Sequence, residues 1–185
     1  MNLSGAVLIA MPGMGDERFD HSVVLICAHS DDGSMGLIVN KPMDDLHFSA
    51  LLEQLEIPER PEGRDIRVHL GGPVERGRGF VLHSTDYDSQ GATMLIEGGL
   101  CMTATLDILQ AFARGEGPSR AILALGYSGW GPGQLEDEIA RNEWLMLPQA
   151  QADLIFAEDA GAKWSSHLRA IGVDPVSLSA TAGRA

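Results

Sequence analysis

The sequence predicts an α+β fold in one domain, covering residues 1–178, with 179–185 as a loose tail. Three observations lead there. Short runs rich in β-branched and aliphatic residues recur along the chain. Segments of 3.6-residue periodicity lie between them without strict β-α-β alternation. Reversals such as Asp32-Gly33 join consecutive strands antiparallel. A chain of 185 residues with 44% hydrophobic and 21% charged residues can bury one sizeable core.

Ala6–Ala10 is the first short strand, stopped by Pro12 and Gly13. Ser22–Ser30 and Ser34–Asn40 form the clearest hairpin, because Asp32-Gly33 supplies the positive φ of a tight turn. Both strands are apolar at nearly every position, which predicts cover on both faces. Asp45 is placed to cap a helix running to about Glu56, with Phe48, Leu51, Leu52 and Leu55 on its inner face. Residues 59–65 read as a charged loop. Ile66–Leu70 and Gly79–Ser84 read as strands either side of Gly71-Gly72-Pro73, and Ala92–Ile96 as a further strand broken by Gly98-Gly99.

Thr105 is a suitable cap for a helix with Leu106, Leu109, Phe112 and Ala113 inward, closed by Gly115. Arg120–Leu125 is a short apolar strand and Gly126–Gly133 a glycine-rich turn. Pro132 fits the first position of a helix carrying Leu135 and Ile139. Trp144–Leu147 is the last strand. Two helical segments follow Pro148, the second with Trp164, Leu168 and Ile171 on one face and Gly172 after it.

Lys and Arg total 13 against 26 Asp and Glu, a formal net charge of -13. A polyanion of this kind repels nucleic acid unless a basic face is segregated. One locally basic stretch exists: residues 60–78 hold Arg60, Arg64, Arg67, Arg76 and Arg78 against Glu62, Asp65 and Glu75. It reads either as a solvated loop or as a patch for an anion or partner. No apolar run approaches the roughly 20 residues of a membrane helix. The N-terminus lacks a basic region, and Ala6–Met11 is too short for a signal core. Two cysteines, Cys27 and Cys101, make no disulfide framework. The expectation is a cytoplasmic protein.

Several chemistries lack their residues. There is no GxxxxGK[ST], and the helix after the 126–133 glycines opens with Glu136, Asp137 and Glu138, which repel phosphate. The six histidines form no HxH or HExxH, so no metal or cofactor is expected. Gly126-Tyr127-Ser128-Gly129 is one residue short of a nucleophile elbow. Cys27 and His29, two apart on a strand, share a face by alternation and are a candidate thiol and base; burial in an apolar strand opposes this. The remaining candidate is an anion or partner site. The Gly71-Gly72-Pro73 turn offers backbone N–H groups as a nest, with Arg78 and His83 on a following strand and Asn40-Lys41 ending another. The competing reading is that these glycines serve only chain reversal.

Four long phrases resemble the YqgE/AlgH family of bacterial proteins: LSGAVLIAMP at 3–12, FDHSVVLICAHSDDGSMGLIVNKP at 19–42, GGPVERGRGFVLHS at 71–84 and ALGYSGWGPGQLEDEIARNEWL at 124–145. The likeness runs to about Leu178. It implies a single-domain α+β fold with a coiled, bifurcated sheet partly closed into a small barrel and surrounded by helices. It implies no agreed activity and carries over no catalytic residues. The AlgH name comes from a proposed regulatory role in alginate production, and some members carry the label of transcriptional regulator. The 135–142 helix is acidic, so a basic recognition helix is missing.

The resulting expectation is a non-catalytic cytoplasmic regulatory or binding protein acting through a protein partner or a small anion. A thiol-based redox sensor or small-molecule enzyme using Cys27 and His29 is the alternative, and a DNA-binding regulator a third reading.

Overall fold

The structure is a computed structural model and describes residues 1–178; the expected tail at 179–185 lies outside them. Among the described residues nine strands, β1 (Val7–Ala10), β2 (Val23–Ser30), β3 (Gly33–Ile38), β4 (Val68–Leu70), β5 (Val74–His83), β6 (Thr93–Ile96), β7 (Leu100–Thr103), β8 (Ala121–Trp130) and β9 (Trp144–Leu147), form one mostly antiparallel sheet. Its order is β6-β7-β5-β8-β3-β2-β1-β9, and it curls into a half-barrel. The helices are α1 (Phe48–Gln54), α2 (Leu106–Ala113), α3 (Gln134–Ala140), α4 (Ala152–Ile155) and α5 (Lys163–Ala170).

Strand β8 is where the sheet forks. Its first half pairs antiparallel with β5 and parallel with β4, while Ser128–Trp130 pair with β3. The expected turn at Gly126–Gly133 is therefore strand as far as Trp130. Glycine permits it: a Cβ on Gly72 would lie 2.1 Å from the Tyr127 carbonyl carbon, and one on Gly71 would lie 2.3 Å from the Gly126 oxygen. The two glycine-rich stretches are two backbones in close approach.

Other boundaries also move. β5 begins at Val74, five residues before the expected Gly79, with an irregularity between Val74 and Gly79 that leaves Glu75–Arg78 exposed. β7 completes a hairpin with β6 across Gly98-Gly99 and is missing from the sequence reading. Helix α1 starts at Phe48 after His47, so Asp45 caps nothing, and Leu55 faces solvent. In α2 the inner face is Ile108, Leu109, Phe112 and Ala113, whereas Leu106 is exposed. Pro132 precedes α3, whose cap is Gly133.

Three apolar clusters fill the molecule. One lies between β2, β3, β5 and β8 and the α4–α5 region. A second sits under α1 and α2, with Phe48 edge-on to Phe112 at 6.1 Å. The third lies beneath α3 and contains Phe19, Trp130 and Trp144.

Candidate functional site

The residues singled out in the sequence are spread over the fold. Asn40 accepts from the Val23 N–H and donates to the His21 carbonyl, tying strand ends together. Lys41 donates to the Arg18 carbonyl at 2.9 Å. Gly71 and Gly72 are buried. The Gly71 N–H is spent on the Leu125 carbonyl at 2.7 Å, and neither glycine has the positive φ of a nest. Pro73 is half-buried beside them, and Arg78 is exposed and paired with Glu75. His83, fully buried, bonds Thr103 Oγ1 at 2.8 Å and the Ser84 carbonyl at 2.7 Å. Four residues of β5 lie between Arg78 and His83, a span of about 16 Å. The structure brings Lys41 and Arg76 to one groove, beside Asp44 and Asp45, and leaves His83 apart from it.

Cys27 and His29 do not share a face. A β-bulge between Ile26 and Ala28 makes Cys27 the extra residue and breaks the alternation. Cys27 packs in the first cluster, where burial pushes its thiol up to about 12. His29 turns the other way, to Ser34 Oγ at 2.7 Å and the α3 carboxylate of Glu136 at 3.1 Å.

A different set of cations does converge. A cleft of about 600 Å³ opens where β4 and the start of β8 meet the segment between α4 and α5. Its lining includes Arg64, Arg67, Arg120 and Lys163, with Asp65 and Glu158 as its carboxylates. Ile66, Ile122 and Phe156 supply apolar wall. Arg64 and Arg67 come from the one basic stretch of the sequence, so two of its five arginines line this cleft.

Lys163 is the unusual member. It is 2% exposed, and its Nζ donates to the Val39 carbonyl at 2.8 Å. An ammonium has three donors. Among the described residues no other acceptor and no carboxylate pairs with it. Burial, and then the Arg67 charge, pull its pKa down to about 8. Arg67 bonds one carbonyl, that of Glu158 at 3.0 Å, and among the described residues is in no ion pair. Arg120 is neutralised by Asp153 at 2.7 Å, and Arg64 bonds the carbonyls of Glu116, Pro118 and Ser119. His69, also 2% exposed, lines the same cleft; burial first, then Lys163, holds its pKa down to about 4. It is a neutral imidazole at physiological pH. The floor is thus a desolvated amine and a neutral histidine, and the rim carries a guanidinium without a counter-charge. Such a place favours an anion.

Sequence reasoning missed Lys163 and Arg120. One signal was present: Lys163 and His167 are i, i+4 neighbours of each other beside the Trp164, Leu168, Ile171 stripe, and Lys163 is one of two lysines in the chain.

Comparison with known proteins agrees with this fold throughout. An AlgH-like family model matches residues 7–176. A UPF0301 protein of Cereibacter sphaeroides is 65% identical over 185 residues, covering all of both chains, and one of Ruegeria pomeroyi is 55% identical over 186 residues with the same full coverage. The solution structure of the AlgH protein from Pseudomonas aeruginosa matches with a TM-score of 0.77 at 38% identity, over 94% of this chain and 90% of that one. A crystal structure of a Corynebacterium diphtheriae protein matches with a TM-score of 0.69 at 25% identity, over 90% and 85%. A model match across almost the whole chain and full-length relatives at this identity place the chain in the AlgH-like family.

Proposed function

We propose that this chain is a cytoplasmic binding protein for a small anion, received in the cleft above Lys163, and that its regulatory effect follows from occupancy of that cleft. One observation carries the reading: a buried lysine and an adjacent arginine line one cavity, and neither has a carboxylate partner among the described residues. Removing one member of a buried ion pair is costly, so an unpaired buried ammonium is a standing cost that a bound anion offsets. The cytoplasmic assignment rests on two buried free thiols, Cys27 and Cys101. Among the described residues no helix is long and apolar enough to cross a membrane.

Thermal unfolding in the presence of phosphate, sulfate and small carboxylates, at constant ionic strength, tests the reading. A ligand that binds only the folded chain raises the midpoint in a saturable manner. Lys163→Met and Arg67→Ala should each abolish that rise. A rise that is equal in the wild type and both variants would remove the site from consideration.

A further inference from the structure

The cleft holds more than positive charge. We propose that Lys163 forms a reversible imine with a 2-oxo acid whose carboxylate is held by Arg67. This rests on the anion reading of the same cleft and adds the chemical class of the ligand.

A lysine needed only to satisfy the Val39 carbonyl would be an expensive choice, because a backbone N–H or a hydroxyl does so without burying a charge. Here one N–H is fixed on Val39, which sets the direction of the side chain, and the rest of the amine is unclaimed by protein among the described residues. Desolvation beside another cation is the arrangement that makes a lysine nucleophilic near neutral pH. Lys163 has both features: it is buried, and Arg67 lies close enough to depress its proton affinity. Arg67 retains donors for a carboxylate, which a guanidinium grips in a planar, bidentate manner. A carbonyl carbon next to a carboxylate is the electrophile that suits an amine and a guanidinium sharing one cavity. His69 lines the same cavity as a neutral imidazole, able to pass the proton that the addition moves. Ile66, Ile122 and Phe156 give the carbon chain an apolar wall.

The step balances without a co-reactant. The Nζ lone pair attacks the keto carbon, the C=O π bond opens, and the new hydroxyl gains the proton that nitrogen loses. That hydroxyl takes up the second proton of the nitrogen, relayed by His69, and leaves as water while the nitrogen lone pair closes the C=N bond. Hydrolysis reverses each step.

The chain suits a direct test because Lys41 and Lys163 are its only lysines. Full-length protein is incubated with pyruvate and cyanoborohydride, which reduces an imine to a stable secondary amine, and the modified residue is located by peptide mass mapping. The expected result is an adduct on Lys163 at least about tenfold above Lys41, as a depressed amine pKa allows, with labelling of the amino terminus as the reference that Arg67→Ala leaves unchanged. Labelling should rise as pH climbs towards about 8, where the amine becomes neutral. Arg67→Ala should cut pyruvate labelling about tenfold while acetone, which has no carboxylate, is labelled at most a few-fold less. Lactate, an analogue with a hydroxyl in place of the keto group, is titrated in parallel by thermal shift. Lactate binding without a Lys163 adduct overturns the imine and leaves the anion reading standing. Absence of both overturns both. Labelling of Lys163 that is equal for acetone and pyruvate, or indifferent to Arg67→Ala, overturns the role given to the carboxylate.

Discussion

The Nζ of Lys163, the first residue of α5, donates to the carbonyl of Val39 just past the end of β3, at 2.8 Å. The bond joins the C-terminal helix to the N-terminal hairpin across 124 residues and sets an ammonium at the floor of a cleft. A cation at a helix N-terminus also opposes the helix dipole. Among the described residues no carboxylate pairs with the charge there, so its substitution should help the empty protein.

Lys163→Met keeps the length of the side chain and removes the charge. It leaves the Val39 carbonyl without its donor, a cost of about 1 kcal/mol, and relieves a larger desolvation. Denaturant unfolding at pH 7 in anion-free buffer should show the variant about 1 kcal/mol more stable than the wild type. The proton linkage has a definite sign. The folded pKa of about 8 lies below the ordinary 10.5, so wild-type stability gains from this group as pH rises from about 8 to 10.5, and the variant loses that gain.

His69 gives a second pH signature. Its folded pKa of about 4 lies below the ordinary 6.5, because burial and the Lys163 charge oppose protonation. Between these values the unfolded chain holds the extra proton. The contribution is complete above pH 6.5 and is lost as pH falls through about 4. His69→Gln should flatten the stability curve in this window by about 2 kcal/mol, read by urea unfolding at several pH values.

Gly72 tests the close approach at the fork of the sheet. Gly72→Ala sets a methyl 2.1 Å from the Tyr127 carbonyl carbon, a contact that only backbone displacement relieves. A loss of about 3 kcal/mol or more, or failure to fold, is expected. Gly77→Ala is the control: no atom lies within 4 Å of its Cβ, and its φ is not positive, so stability should change by less than about 1 kcal/mol.

Glu138 should prove structural. One of its carboxylate oxygens accepts from the indole N–H groups of both Trp130 and Trp144, each at 2.9 Å. Glu138→Ala strands two indole donors and should cost about 2–3 kcal/mol; Glu138→Gln, which keeps an acceptor oxygen, about 1 kcal/mol. Chemical unfolding followed by tryptophan fluorescence checks both.

What the sequence made legible was local. Asp32-Gly33 and its flanking strands stand as expected because a tight turn between apolar runs is complete in adjacent residues. The Trp164, Leu168, Ile171 stripe packs inward for the same reason. Gly126–Trp130 reads locally as a turn because the strand that its last residues pair with, Ser34–Gly36 of β3, lies more than ninety residues away. Cys27 and His29 were placed on one face by alternation, which a single inserted bulge residue reverses. The glycine pair at 71–72 suggests a nest, but the Gly71 N–H goes to the Leu125 carbonyl and neither glycine has a positive φ. The cleft joins residues 64–69, 119–122 and 156–163, three segments with no shared motif. The arginine excess over 60–78 and the rare Lys163 point to parts of it.

The most direct measurement is an NMR titration of ¹⁵N-labelled protein with pyruvate and, separately, with phosphate at fixed ionic strength. The cleft predicts saturable shifts confined to amides around Arg64–His69, Ser119–Ile122 and Phe156–Lys163, and their loss in Lys163→Met. Shifts that never saturate, or that cluster instead at Asn40-Lys41 and Gly71–Arg78, would contradict it.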